Sequence, residues 1–201
     1  AIFFDTCVIQ GTYTNTYKDL MEVQSGIVYL IGVQFLYYQT GTGGGTHRIV
    51  NVSGASSIIM STTETYMSVA VVGDDIVGIE EANAVITTKI NNCTFELVRS
   101  GVVTGETICY LANGTSDLKD WASNHIHLHN EGSGGTAQAY KTIGNGCEIH
   151  STSSKIKVEG FTINYLGNIL ATDSLFSHFD DIIATNGKTG AGTYEYVNSP
   201  A

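Results

Sequence analysis

The sequence predicts an all-β chain that coils, so that short strands stack in parallel on their equivalents one coil away. Three observations predict it. Thr, Ser, Asn, Gly, Val, Ile and Tyr dominate, which favours strands and tight turns over helices. One proline in 201 residues leaves strands free to pair on both edges. A template of the form apolar-x-x-apolar-x-apolar recurs along the chain.

The template appears at Phe4-Asp5-Thr6-Cys7-Val8-Ile9, Leu30 to Tyr37, Ile90 to Leu97 and Val158 to Tyr165. Two inward residues separated by two turn residues describe a strand, a sharp bend and a new strand. The bends fall at Asp5-Thr6, Ile31-Gly32, Asn91-Asn92 and Glu159-Gly160, where Asp, Asn and Gly tolerate left-handed backbone angles. A further strand follows each: Leu20–Val23, Arg48–Val52, Thr107–Leu111 and Leu175–Phe179. One coil reads Asp19–Val23, Ile27–Leu30, bend, Val33–Tyr38, loop, His47–Val52. Another reads Cys147–His150, four Ser/Thr residues, Lys155–Val158, a turn at Glu159-Gly160, then Phe161–Tyr165. Equivalent strands lie 29 positions apart from Leu20 to Ile49 and 27 apart from Ile149 to Phe176. Roughly seven or eight coils of about 25–29 residues would fill the chain.

Other segments fit less well. Ser116–Ser123, around Leu118 and Trp121, reads as a short helix. Residues 53–83 and 112–146 match the template poorly. The coil is expected over 1–183, with the Gly-, Thr- and Asn-rich 184–201 as a cap or linker. A β-sandwich or jelly roll is the alternative, because Asn113-Gly114, Asn145-Gly146 and Asn186-Gly187 are hairpin-type pairs. The chain opens Ala1-Ile2-Phe3-Phe4, which reads as a processed product or a piece of something longer.

Ile90-Asn91-Asn92-Cys93-Thr94-Phe95 resembles the inward-asparagine turn and Cys-x-Phe strand of the right-handed parallel β-helix proteins, the pectate-lyase-like superfamily. Folds of this kind occur in viral and phage tailspikes and surface fibres. The resemblance covers about Phe4 to Phe179 and implies a right-handed parallel β-helix. It also implies two function classes, a structural and glycan-binding module or a polysaccharide-degrading enzyme.

Composition excludes other classes. Charged residues make up 14% of the chain, and 19 acids against 9 bases give a net charge of −10. Nucleic-acid binding needs clustered Lys and Arg and is excluded as an expectation. No apolar run approaches the roughly 18 residues of a membrane span. Cys7, Cys93, Cys109 and Cys147 form no CxxC and read as buried thiols. Asn51, Asn92 and Asn113 head glycosylation sequons, which are common by chance in such a sequence.

The sharpest chemical feature is Asn124-His125-Ile126-His127-Leu128-His129-Asn130. His125, His127 and His129 share one strand face, with Ile126 and Leu128 on the other. Stacking Leu128 over Ile149, 21 residues later, would put His129 over His150 and His127 over Glu148. His-x-His on a strand can bind a transition metal, and it resembles the His-x-His motifs that hold iron on the axis of some trimeric phage spikes. An ordinary solvated strand face is the plain alternative.

Asp74-Asp75, Glu80-Glu81 and Asp180-Asp181 are acidic pairs, but neighbours on a strand point to opposite faces. A doublet alone therefore makes no glycosidase pair. The Gly-His-Gly and Arg-x-Lys motifs of the polygalacturonase group are absent, and Arg48 and Arg99 are the only arginines. Gly41–Gly45 and Glu131–Gly135 lack a phosphate-loop pattern and read as coil-to-coil loops. Tyr13, Tyr17, Tyr29, Tyr37, Tyr38 and Tyr66 crowd the first third. Tyrosine can stack on a sugar ring and hydrogen-bond through its hydroxyl. Of Tyr37 and Tyr38, at least one must face outward.

The sequence therefore predicts a structural and glycan- or receptor-binding module of a virion-surface spike, fibre or capsid-associated protein, used in host attachment and self-associating as a homotrimer. Its expected location is extracellular or on a virion. The glycan-binding candidates are Tyr37, Tyr38, Tyr66, His127 and His129; the metal candidates are His125, His127 and His129. A polysaccharide lyase or glycoside hydrolase and a secreted adhesin passenger are the alternatives.

Overall fold

A computed structural model describes residues 1–14, 19–41, 45–70, 73–81, 87–112, 118–144, 146–184 and 186–198. Strands are the only regular elements among them, and every pairing between strands is parallel. Five coils have three strands each. They are β1 (Ile2–Asp5), β2 (Val8–Tyr13), β3 (Asp19–Val23); β4 (Gly26–Ile31), β5 (Gln34–Gln39), β6 (Thr46–Val52); β7 (Ser56–Ser61), β8 (Glu64–Val69), β9 (Asp75–Glu81); β10 (Thr87–Asn91), β11 (Thr94–Arg99), β12 (Val102–Ala112); and β13 (Leu118–Ala122), β14 (His125–Asn130), β15 (Ser133–Thr142). In the next two coils one long strand replaces two: β16 (Glu148–Glu159) with β17 (Ile163–Asn168), and β18 (Ser174–Ile183) with β19 (Gly187–Thr189). β20 (Thr193–Asn198) pairs with β18.

The result is a right-handed parallel β-helix with three walls. The first wall is β1-β4-β7-β10-β13 and the start of β16; the second is β2-β5-β8-β11-β14 and the end of β16. The third is β3-β6-β9-β12-β15-β17-β19.

A column of left-handed residues makes the corner between the first two walls. Thr6, Gly32, Thr62, Asn92, Ser123 and Ser153 have φ of 47°, 61°, 48°, 53°, 56° and 48°. A left-handed angle costs a residue with a Cβ about 1–2 kcal/mol. The hydrogen-bond ladder offsets this by running through the corner: the N–H groups of Thr6, Gly32, Asn92 and Ser123 donate to the carbonyls of Ile31, Ser61, Ala122 and Thr152 at 3.0, 3.0, 3.0 and 2.8 Å. The bends expected at Asp5-Thr6, Ile31-Gly32 and Asn91-Asn92 are three members of this column. Glu159-Gly160 belongs to the next corner, where backbones approach closely. A Cβ on Gly160 would lie 2.1 Å from the Asn130 carbonyl, and one on Gly132 would lie 1.9 Å from that of Gly101.

Inside, equivalent residues stack. Leu30, Met60, Ile90 and Trp121 form one column, and Tyr37, Met67, Leu97, Leu128 and Val158 form another, all buried. Each fully buried aliphatic side chain contributes about 1.5–3 kcal/mol. Trp121 is the hub, with ring centroids 5.2 Å from Phe95, 4.8 Å from Tyr110 and 5.6 Å from Tyr140. Cys93, Cys109 and Cys147 are buried and Cys7 half-buried, all four as free thiols.

Several sequence expectations are corrected here. Leu118–Ala122 is a strand, not part of a helix, because Trp121 is drawn over Ile90 and Ser151; residues 116 and 117 lie outside the described residues. The described residues of 53–83 and 112–146 hold regular strands of the coils, β7 to β9 and β13 to β15. Their inward polar residues, including Thr63, Thr65, Lys119 and Asn124, disguise the apolar template. The inward asparagine is Asn124, not Asn91 or Asn92. It accepts from the Cys93 N–H at 2.9 Å and donates to the Ile90 carbonyl at 2.8 Å. Phe161 points in, but Asn164 and Leu166 are the buried residues of β17 rather than Ile163 and Tyr165. Ile149 stacks on Leu175, one residue before Phe176, while Asp19–Arg48 and Met21–Val50 bracket the expected Leu20–Ile49 level.

Candidate functional site

The left-handed column sets the register of the second wall. Counting from each corner, the second, fourth and sixth residues project outward. The fourth-residue row is Leu36, Tyr66, Glu96, His127 and Lys157; the sixth-residue row is Tyr38, Ser68, Val98, His129 and Glu159. Neighbours within a row are about 4.8 Å apart. Residues far apart in sequence thus share one outer face.

At one end of this face lies a depression of about 380 Å³ lined by Gln34, Leu36, Glu64, Thr65, Tyr66, Thr94 and Glu96. Gln34 Nε2 donates to Glu64 Oε2 at 3.3 Å. Tyr38 and Tyr66 stand beside each other with ring centroids 5.7 Å apart. Burial raises the Tyr66 phenol above its usual range, and the Glu96 charge adds to this. The hydroxyl therefore stays protonated and able to donate.

Further along, His127 lies between two carboxylates. Its Nε2 is 2.9 Å from Glu159 Oε1 and its Nδ1 is 3.9 Å from Glu96 Oε1. Lys157 Nζ reaches the same Glu159 oxygen at 2.7 Å. Hydrogen bonds from Lys157 and His127 hold the Glu159 carboxyl below the usual glutamate range. The His127 and His129 rings are stacked, 5.5 Å apart and 11° from parallel.

Comparison with protein-family models, with curated proteins and with solved structures finds no match for this chain. Its side chains carry the functional argument.

The structure brings Tyr38, Tyr66, His125, His127 and His129 to the outer surface of one wall. Tyr37 is corrected: it is fully buried, its hydroxyl 2.8 Å from His47 Nδ1, and cannot meet a ligand. The stacking of β14 is also corrected. His127 lies over Lys157 and His129 over Glu159, thirty residues on rather than 21. His150 belongs to the first wall, beside Glu148 and Phe176. The chain must round the Ser153 corner before it can lie on β14. His125 and His129 are four residues apart on one strand, or about 13 Å, so the three histidines of β14 cannot share one ion.

The acidic pairs divide across the wall as expected. Asp74 turns inward to His47 Nε2 at 2.6 Å, while Asp75 Oδ1 accepts from the Glu106 N–H at 2.7 Å. Glu81 pairs inside with Lys119 at 3.3 Å, while Glu80 pairs outside with Arg48. The Asp180-Asp181 side chains, Tyr17 and Asn113 lie outside the described residues. Asn51 bonds to Asp19 at 2.7 Å.

Sequence reasoning missed Gln34, Glu64, Glu96, Lys157 and Glu159. Their signal is the spacing of the corner residues from Gly32 onward, 30 or 31 positions each, which aligns Tyr66, Glu96, His127 and Lys157 by simple counting.

Proposed function

We propose that the outer face of the second wall binds a saccharide chain, with the β-helix acting as a rigid support. The observation that carries this reading is the pairing of Tyr38 and Tyr66 beside a depression whose rim holds Glu64, Glu96 and Gln34. Tyrosine faces pack on the apolar face of a sugar ring. Carboxylate and amide groups accept and donate to its hydroxyls. The strand spacing of about 4.8 Å gives a chain ligand repeated contacts along the rows. Glu64 and Glu96 repel a polyuronate, so the ligand class is a neutral saccharide.

A glycan array followed by calorimetry with the strongest binder tests this. Tyr66→Ala weakens binding about tenfold, or ~1.4 kcal/mol, and Tyr37→Phe leaves it unchanged. Failure of every neutral glycan to bind would overturn the reading.

One observation favours a second reading, cleavage of the bound chain. Glu64, Glu96, Tyr66 and His127 lie on one face, and paired carboxylates are the glycosidase requirement. Release of new chain ends from a bound glycan, lost in Glu64→Gln and Glu96→Gln, would establish it.

A place in a virion-surface spike or fibre, and self-association as a homotrimer, belong to the same proposal. The exposed apolar side chains of Ile2, Phe3 and Val8 on the first coil support self-association. A stable monomer in light scattering would count against the trimer.

A further inference from the structure

We propose that His127, His129 and Glu159 form a three-ligand site for a divalent transition metal, with Zn²⁺ as its best-matched ion. His129 and Glu159 face each other on neighbouring strands, and His127 lies two residues before His129 on the same side of β14. Their three donor atoms lie within 4.8 Å of one another. The site draws on two strands, which is what the three histidines of β14 alone lack.

The backbone beneath is fixed. Ile126, Leu128 and Val158, which alternate with the ligands, are locked in the core. Both strands are held by the parallel ladder. Only the side chains must adjust. Bonds of about 2.0–2.1 Å in tetrahedral geometry place donor atoms about 3.3 Å apart, so the triangle must contract. The His127 and Glu159 side chains, 23% and 37% exposed, have room to turn inward on the ion.

The surroundings suit the role. Glu96 Oε1 lies 3.9 Å from His127 Nδ1. Closing by about 1 Å to hydrogen-bond distance, it would accept the Nδ1 proton and let Nε2 exchange its bond to Glu159 for the metal. A carboxylate that holds the far nitrogen of a metal-bound histidine fixes the ring and raises its basicity. Lys157 opposes binding, since its ammonium now bonds Glu159 and would sit close to the ion. Two imidazoles and one carboxylate select a borderline ion such as zinc over calcium or magnesium, which prefer all-oxygen shells. Three protein ligands leave one position open toward solvent. The site stands independently of saccharide binding.

Titrating the purified chain with ZnCl₂ in a calorimeter tests the proposal. One ion binds per chain with a dissociation constant on the order of 10 μM. His129→Ala and Glu159→Gln each weaken binding about tenfold or more. Lys157→Ala strengthens it, and His125→Ala binds as the parent does. Circular dichroism shows the same fold in all four variants. Absence of binding at about 1 mM Zn²⁺ would overturn the proposal. Parent-like binding by both His129→Ala and Glu159→Gln would also overturn it, because the ion would then lie elsewhere.

Discussion

His47 and His127 are both clamped by partners, one on each side of the solenoid wall. His47 is fully buried, with Nε2 2.6 Å from Asp74 and Nδ1 2.8 Å from the Tyr37 hydroxyl. His127 is partly exposed, 2.9 Å from Glu159 and 3.9 Å from Glu96. Each ring has a carboxylate at its Nε2, but burial gives that pairing different consequences. Inside, water cannot replace a lost partner, so each polar atom is committed to the fold. Outside, an ion pair is worth about 0–1 kcal/mol, so side chains can exchange partners for a ligand. The inner set is structural and the outer set is free for function.

The largest effect should come from breaking the inner set. Lys119→Ala leaves Glu81 buried without its cation and should cost about 3–5 kcal/mol in urea unfolding. Asp74→Ala strips His47 and the Gly45 N–H of their carboxylate partner, while the backbone carbonyl of residue 74, which accepts from Arg99 at 2.6 Å, remains. A loss of about 2–4 kcal/mol is expected from the side chain alone. The matching outer change, Glu159→Gln, should leave stability within about 0.5 kcal/mol of the parent. Equal losses inside and outside would erase the contrast.

A pH series sharpens it. Burial raises the Glu81 carboxyl above its usual 4.5 against the pull of Lys119. The folded state then holds that proton more tightly than the unfolded chain does. The associated stability is present below about pH 4.5 and is lost as pH rises through the folded value. Glu81→Gln should remove this decline from the Tm profile. A profile unchanged by the substitution would show that Glu81 contributes no such linkage.

The smallest effect is chemical and leaves stability untouched. Burial pushes the Cys93 thiol up to about 11 and raises Cys109 well above its ordinary value. Only half-buried Cys7 should react quickly with a thiol reagent in the native protein, and all four cysteines after denaturation. Rapid labelling of Cys93 would mean that its wall opens.

The fold was legible because the bend-and-strand template is local. Ile31-Gly32 and Asn91-Asn92 announce their corners through residues that accept left-handed angles, while Asp5-Thr6 is placed by the apolar spacing, its left-handed residue being Thr6. Thr62, Ser123 and Ser153 hide theirs, since Thr and Ser signal turns of many kinds. Trp121 looked helical because the strand beneath it is short and flanked by polar residues. Its environment comes from coils 30 residues away. The shared face of the histidines was legible from alternation alone, whereas for Tyr37 and Tyr38 alternation required only that one face outward, and it is Tyr37 that turns in. Glu64, Glu96 and Glu159 were not legible, because lone glutamates carry no local signal. Only the register across coils gathers them, and the corner at Ser153 had to be recognised before His129 could be set beside Glu159.

The central claim is that the outer second wall carries function while the inner network carries stability. Tyr66→Ala tests it most directly, with glycan affinity by calorimetry and Tm read on the same preparation. The account predicts about a tenfold loss of affinity at a nearly unchanged Tm. Parent-like affinity, or a loss that merely follows a collapsed Tm, would contradict it.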